Sequence, residues 1–269
     1  MKRLKDILSG IYIGFIGLIL YAPIVVLIVL SFNDSRSRVT WGGFTFNWYV
    51  TLFSNKQIME ALVTTVILAL ASSAVAVLVG VPGALGIHAM GKKRYKTFMT
   101  LTNIPMLNAD IVTGIALMLW MVHFIPLGFG SVLLAHITFN IPYVILSVMP
   151  RIQQMNISVY EATRDLGAGP VYSFFKVLLP ELMPGIVSGF FMAFTMSMDD
   201  FVITYFTKGA GVNTLSTMIY GQIRKGIKPE MYALSTLIFL VVSIILLIVN
   251  GISDKQKTPD KIKKNEERF

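Results

Sequence analysis

Ser158–Pro180, SVYEATRDLGAGPVYSFFKVLLP, is a polar island set between long apolar runs. Ser158 is followed three positions later by Glu161, the spacing of a capping box, in which the hydroxyl takes an N3 amide and the carboxylate reaches back to the cap amide. A short helix is therefore expected to begin at Ser158. Gly167 suits its end, because glycine adopts the left-handed conformation that closes a helix, and Pro170, with φ preset, suits the first turn of a second helix. The stretch reads as a helix-turn-helix knuckle, with Leu179-Pro180 and Pro184 breaking the second helix before the next apolar run.

The flanks decide the solvent. Of 269 residues, 55% are hydrophobic and only 14% charged, with a mean hydropathy of +0.70. That leaves too little polar surface to cover a water-exposed globule, so a bilayer is the expected surroundings. Without cysteine the chain has neither a disulfide framework nor a thiolate metal site. The net charge of +9 sits in short Lys and Arg runs beside apolar segments, a pattern of membrane orientation, and no nucleic-acid partner is expected. Lys2, Arg3 and Lys5 ahead of Ile11–Leu30 look like the start of a signal peptide. The apolar run is too long for one and lacks a clear small-residue cleavage site, so it is expected to stay as a helix.

About 20 charge-free residues cross a hydrocarbon core of about 30 Å. Six segments meet or approach that length: Ile11–Leu30, Ala61–Met90, Thr97–Phe124, Ser131–Met149, Pro184–Phe206 and Ala233–Gly251. An even count puts both termini on one side, with Lys2, Arg3 and Lys5, the Lys92-Lys93-Arg94-Lys96 cluster and the tail from Lys255 to Arg268. The positive-inside rule makes that side cytoplasmic, and the knuckle lies on it. Lys208, Arg224, Lys225 and Lys228 oppose this orientation and are outweighed. The expected fold is all-α and transmembrane: one six-span domain over 1–252, a cytoplasmic loop at 151–183, and a polar, disordered tail at 253–269.

Within the spans, Ser72, Ala76, Gly80 and Ala84 recur every fourth position, a small-residue stripe that lets helix backbones approach closely in lipid. Gly86-x4-Gly91-Lys92-Lys93 nearly spells a phosphate-binding loop, but Lys93 stands where the hydroxyl is needed and no strand precedes it. Asn103, Pro105 and Asn108 interrupt the third segment, as in a broken helix lining a cavity, and Asn140 and Ser147 in the fourth suit hydrogen bonds across helices. Trp41, Phe44, Phe46, Trp48 and Tyr49 crowd the external loop Asn33–Lys56. They read as an interfacial belt, with contact to a partner protein as the alternative. Lys208–Gly211 reads as a flexible external turn and Leu215–Ile223 as a short interfacial helix. His88, His123 and His136 lack metal-ligand spacing, and no hydrolytic motif is present, so no metal and no enzymatic activity are expected.

Of the 14 acidic residues, Asp110, Asp199 and Asp200 alone fall inside apolar segments. A carboxylate at membrane depth costs a few kcal/mol, so it faces an aqueous path or a cation. Counted from the inner ends of their segments, Asp110 and Asp199 both lie about 20 Å in, which favours one acidic site. It suits a chain of ammonium groups joined by methylenes, with Trp120, Phe194, Phe201 or Tyr205 adding cation–π and methylene contact. A linear polyamine fits that description. Neighbours on a helix are 100° apart, so Asp199 and Asp200 do not both point into one pore; one faces another helix or caps a helix end.

The knuckle resembles the EAA loop of ABC importer permeases: Glu-Ala-Ala, three residues, Gly, nine residues, then Ile-x-Leu-Pro. Glu161, Ala162, Thr163, Gly167, Val177, Leu179 and Pro180 match it, with Thr163 for the second Ala and Val177 for Ile. Trp41-x-Gly43-Phe44-Thr45, Ala109–Val112 and Ser197–Asp200 look like the C-type permease subunit of spermidine/putrescine importers, a resemblance over most of Ile11–Gly251. It implies a type I importer permease, multi-pass in the bacterial cytoplasmic (inner) membrane. The expected partners are a second permease, two ATPase subunits docking on the knuckle, an extracytoplasmic polyamine-binding protein and membrane lipid. ATP and magnesium are then bound by the ATPase, and no cofactor by this chain. The substrate pathway is expected at Asp110, Asp199, Asp200, Trp120, Phe201 and Tyr205. The alternatives are an ABC permease for another small cation and a proton-coupled secondary transporter.

Overall fold

A computed structural model describes residues 2–37, 39–241 and 243–244. Among these residues the secondary structure is helical apart from one antiparallel bridge between Asn33 and Phe44. The described residues fall into two compact units, one running up to Lys56 and resuming at Gln222, the other spanning Gln57–Gly221.

The first unit opens with α1 (Lys2–Ser31), whose apolar stretch from Gly10 is long enough to cross a bilayer and is left unburied, as suits a helix facing lipid. The loop after it is ordered around the buried side chain of Asn33. Its Oδ1 accepts from the N–H groups of Gly42 (2.8 Å) and Ser35 (3.2 Å), and its Nδ2 donates to the Thr40 carbonyl (2.9 Å). Trp48 Nε1 donates to the Asn33 carbonyl at 2.7 Å. The aromatic residues over 32–49 therefore form a folded corner, with Phe32 stacked on Phe44 and edge-on to Phe46. The corner runs into α2 (Asn47–Ser54).

In the second unit α3 (Lys56–His88) carries the small-residue stripe, and Ser72, Ala76, Gly80 and Ala84 are all buried. A Cβ at Gly80 would lie 2.8 Å from Val144 Cγ1, so the stripe works as the spacing implied. α4 (Lys92–Leu107) and α5 (Asp110–Met121) follow. Asn108 and Ala109 between them are extended, and the two helices bend by 103°. The third expected segment, Thr97–Phe124, is a broken pair, as the interruption at Asn103, Pro105 and Asn108 implies. Pro105 removes one backbone donor and Asn108–Ala109 leave the helical region altogether.

α6 (Phe129–Gln154) is the centre of this unit: Val144, Val148 and Ile152 pack with Ala76, Val81 and Ala84 of α3. α7 (Ile157–Asp165) starts one residue earlier than the capping-box reading gave, because Asn156 is the cap and accepts from Ser158 N–H at 3.1 Å. Gly167 closes this helix at φ +87°, and Pro170 opens α8 (Pro170–Ser173). The expected break at Pro180 and Pro184 does not occur. A π-helical turn, Phe174–Leu178, passes directly into α9 (Leu179–Asp199), giving one helix over Pro170–Asp199. In that turn Leu179 N–H reaches the Phe174 carbonyl. The wider turn takes up the missing donor and the ring of Pro180.

The fifth segment, read as Pro184–Phe206, ends instead at Asp199, and α10 (Val202–Thr207) is separate. α11 (Leu215–Lys225) is the short helix expected there. In the first unit Pro229–Val241 forms α12, with Met231, Ala233 and Leu234 buried. Four described helices are long and apolar enough to cross a membrane, or five with the bent pair as one span. Residues 242 and 245–251 of the sixth expected segment and the expected tail at 253–269 lie outside the described residues.

Candidate functional site

A cleft of about 290 Å³ lies where α5, α6, α9 and α10 meet, lined by Asp110, Asp199, Asp200 and Phe201 together with Phe139, Tyr143, Met196, Val202 and Ile203. Each acid reaches it through a helix end. Asp110 is the first residue of α5, freed by the bend at Asn108–Ala109, and Asp199 is the last residue of α9. Both are exposed, and no side chain pairs with either among the described residues. An unpaired carboxylate amid apolar side chains is stabilised by a cation or by water that reaches it. The aromatic lining of Phe139, Tyr143 and Phe201 offers ring faces to a cation and to methylenes.

Asp200 lies differently. Its side chain is 9% exposed and is held 3.5 Å from His136 Nε2. Thr204 N–H and Oγ1–H donate to Oδ2 at 2.7 and 2.8 Å, and Ile203 N–H to Oδ1 at 3.3 Å. Asp200 is thus the capping acid that the 100° spacing called for, at the start of α10. His136 is fully buried, its Nε2 2.9 Å from Thr204 Oγ1 and its Nδ1 3.0 Å from Ser197 Oγ. Asn140 Nδ2 donates to Ser197 Oγ at 2.8 Å and to Ser72 Oγ at 3.3 Å, the cross-helix role expected of Asn140. Ser147 reaches only Met192 Sδ, at 3.7 Å.

Two of the other expected residues stand apart from the cleft lining. Trp120 is ten residues along α5 from Asp110, about 15 Å away by helical rise, exposed and packed on Phe124. Tyr205 rests its ring 5.4 Å from that of Phe201 and is exposed. Tyr143, Phe139 and His136 were missed as site residues. The signal was a common face: His136, Asn140 and Tyr143 recur at helical spacing on α6.

The knuckle forms a second candidate surface. Glu161, Ala162 and Gly167 are exposed on it, while Thr163, Val177 and Leu179 are half-buried. Leu166 is 90% exposed, with Val171, Tyr172 and Phe175 also exposed nearby in sequence. Its base is anchored, since Leu178 and Leu182 join the buried cluster of Val148 and Ile152, which ties the knuckle to α6 and α9.

Residues 76–258 match the model of the family described as binding-protein-dependent transport system inner membrane component. The spermidine/putrescine transport system permease protein PotC of Escherichia coli (strain K12) is 36% identical over 254 residues, covering 94% of this chain and 96% of that relative. The putrescine transport system permease protein PotI of the same strain is 35% identical, over 84% of this chain and 83% of its own. Among solved structures, a bacterial alginate ABC transporter in complex with an alginate pentasaccharide-bound periplasmic protein superposes with a TM-score of 0.69 at 17% identity, covering 92% of this chain and 93% of that one.

Proposed function

We propose, from the premise that this chain belongs to the family of binding-protein-dependent transport system inner membrane components, that it passes polyamines across the bacterial inner membrane as one half of a translocation path. The chain is a permease subunit of an ABC importer, and the EAA-like pattern of Glu161–Pro180 is in keeping with that family. Its relatives named for spermidine and putrescine support polyamines as the cargo. The observation that carries the reading is the cleft in which Asp110 and Asp199 present unpaired carboxylates beside Phe201 and Tyr143. An ammonium meets each carboxylate, and the methylenes between ammonium groups lie along the rings.

The remaining parts follow as one scheme. Six spans place both termini and the knuckle in the cytoplasm. A second permease completes the path, an extracytoplasmic binding protein delivers the polyamine, and two ATPases holding ATP and magnesium dock on Glu161, Ala162, Gly167 and the exposed tip at Leu166. This chain carries no catalysis of its own. Closure of the ATPases moves the knuckle, and through Leu178 and Leu182 it rocks α6 and α9 and opens the cleft inward.

The test is competition of labelled spermidine uptake. Spermidine and putrescine should displace the label at far lower concentration than shorter diamines or divalent metal ions. Equal displacement by metal ions would refute the polyamine reading.

A further inference from the structure

Asp199 and Asp200 are adjacent in sequence, yet the structure gives them different surroundings. Asp199 ends α9 exposed, with no side-chain partner among the described residues. Asp200 has both carboxylate oxygens occupied by the chain itself. Thr204 has a single hydroxyl proton, which goes to Asp200 Oδ2 at 2.8 Å, so its oxygen accepts from His136 Nε2–H at 2.9 Å. From His136 the bonds continue to Ser197 on α9, and from Ser197 to Asn140 on α6 and Ser72 on α3. The Asp200 backbone carbonyl takes Ser216 Oγ–H of α11 at 2.6 Å. A cargo ammonium could reach the Asp200 oxygens only by displacing buried donors that have nowhere else to go.

We infer that Asp200 is a positioning residue that bolts the α9–α10 break to α6 through Thr204 and His136, and that Asp110 and Asp199 supply the charge met by the cargo. The assignment rests on the polyamine-permease reading. Its consequence is a split between affinity and turnover. Asn at position 199 removes charge from the cleft. Asn at position 200 removes the charge and one of the two acceptors but keeps an oxygen that can take the Thr204 donors and cap α10, whereas Ala keeps neither.

The experiment is labelled spermidine uptake by the complete importer in proteoliposomes, normalised to assembled complex, for Asp199→Asn, Asp200→Asn, Asp200→Ala and His136→Leu. Asp199→Asn should raise KM by about tenfold or more, the loss of one charge-assisted contact. Asp200→Asn should stay within about threefold of the parent in KM, since the cap survives. Asp200→Ala and His136→Leu should lower Vmax by about tenfold with KM little changed, the cost of unpaired buried donors. If Asp200→Ala does not assemble, the KM values of Asp200→Asn and His136→Leu still decide. Asp200→Asn raising KM as far as Asp199→Asn would overturn the assignment. A parent importer with no saturable spermidine uptake would overturn the cargo reading and this assignment with it, and is distinguishable because it appears before any variant is compared.

Discussion

Leu166 is 90% exposed at the tip of the knuckle, and its replacement separates docking from folding. Leu166→Ser removes an apolar side chain that touches almost nothing in this chain, so the stability of the permease should move by no more than about 0.5 kcal/mol. Burying a leucine against a partner is worth about 1.5–3 kcal/mol, so docking of the ATPase should weaken by about tenfold to a hundredfold. Leu182, fully buried in the cluster at the base of the same helix, supplies the contrast. Leu182→Ala should cost about 2–5 kcal/mol of stability from the lost contacts and the cavity. The assay pairs ATPase retention on the purified permease, titrated with ATPase, with thermal unfolding in detergent. Unchanged ATPase retention in Leu166→Ser would refute the claim that the tip is a docking surface. A stability loss like that of Leu182→Ala would refute the premise that the tip stands free of the fold.

Gly80→Val places a Cβ 2.8 Å from Val144 Cγ1 and should destabilise the α3–α6 contact by about 1–3 kcal/mol, read as a lower unfolding temperature in detergent; an unchanged temperature would show that the helices are not in close contact there. Asn33→Ala removes the side chain that collects Ser35, Thr40 and Gly42. The 34–43 loop should then be cut faster by an external protease, while the rate at the knuckle stays the same.

Much of the fold was legible because lipid imposes simple rules. The stripe Ser72, Ala76, Gly80, Ala84 announced a packed helix face, since close backbone approach needs small side chains wherever hydrophobic exclusion is weak. Gly167 and Pro170 announced the knuckle's turn through their backbone preferences alone. What failed was competition between local signals. Asn156 outcompeted Ser158 as a cap, a choice between two good candidates two residues apart. Pro180 was read as a break, but a π-helical turn absorbed it. Asn103, Pro105 and Asn108 marked the break in the third segment, but not its 103° change of direction, because an apolar count is blind to angle.

The site was half legible. Rare acids in apolar sequence pointed to Asp110, Asp199 and Asp200, and the spacing argument already required one of the pair to turn away. Asp200 itself is held by Ile203 and Thr204, three and four residues along, but the network behind it depends on partners 57 to 125 positions apart, His136 with Ser197, Asn140 with Ser197 and Ser72 with Ser197. Pairings of that range follow from helix packing and leave no local pattern beyond the shared face of His136, Asn140 and Tyr143 on α6.

The central claim is that this chain shapes a path and leaves the driving force to its partners. Spermidine uptake into proteoliposomes containing both permeases, measured with and without the ATPases and ATP and under an imposed proton gradient, tests it most directly. Uptake should appear only when ATPase, ATP and binding protein are all present, and should vanish with Glu161→Lys, which reverses a charge on the exposed face of the knuckle. Uptake by the permeases alone, driven by the proton gradient, would contradict the account.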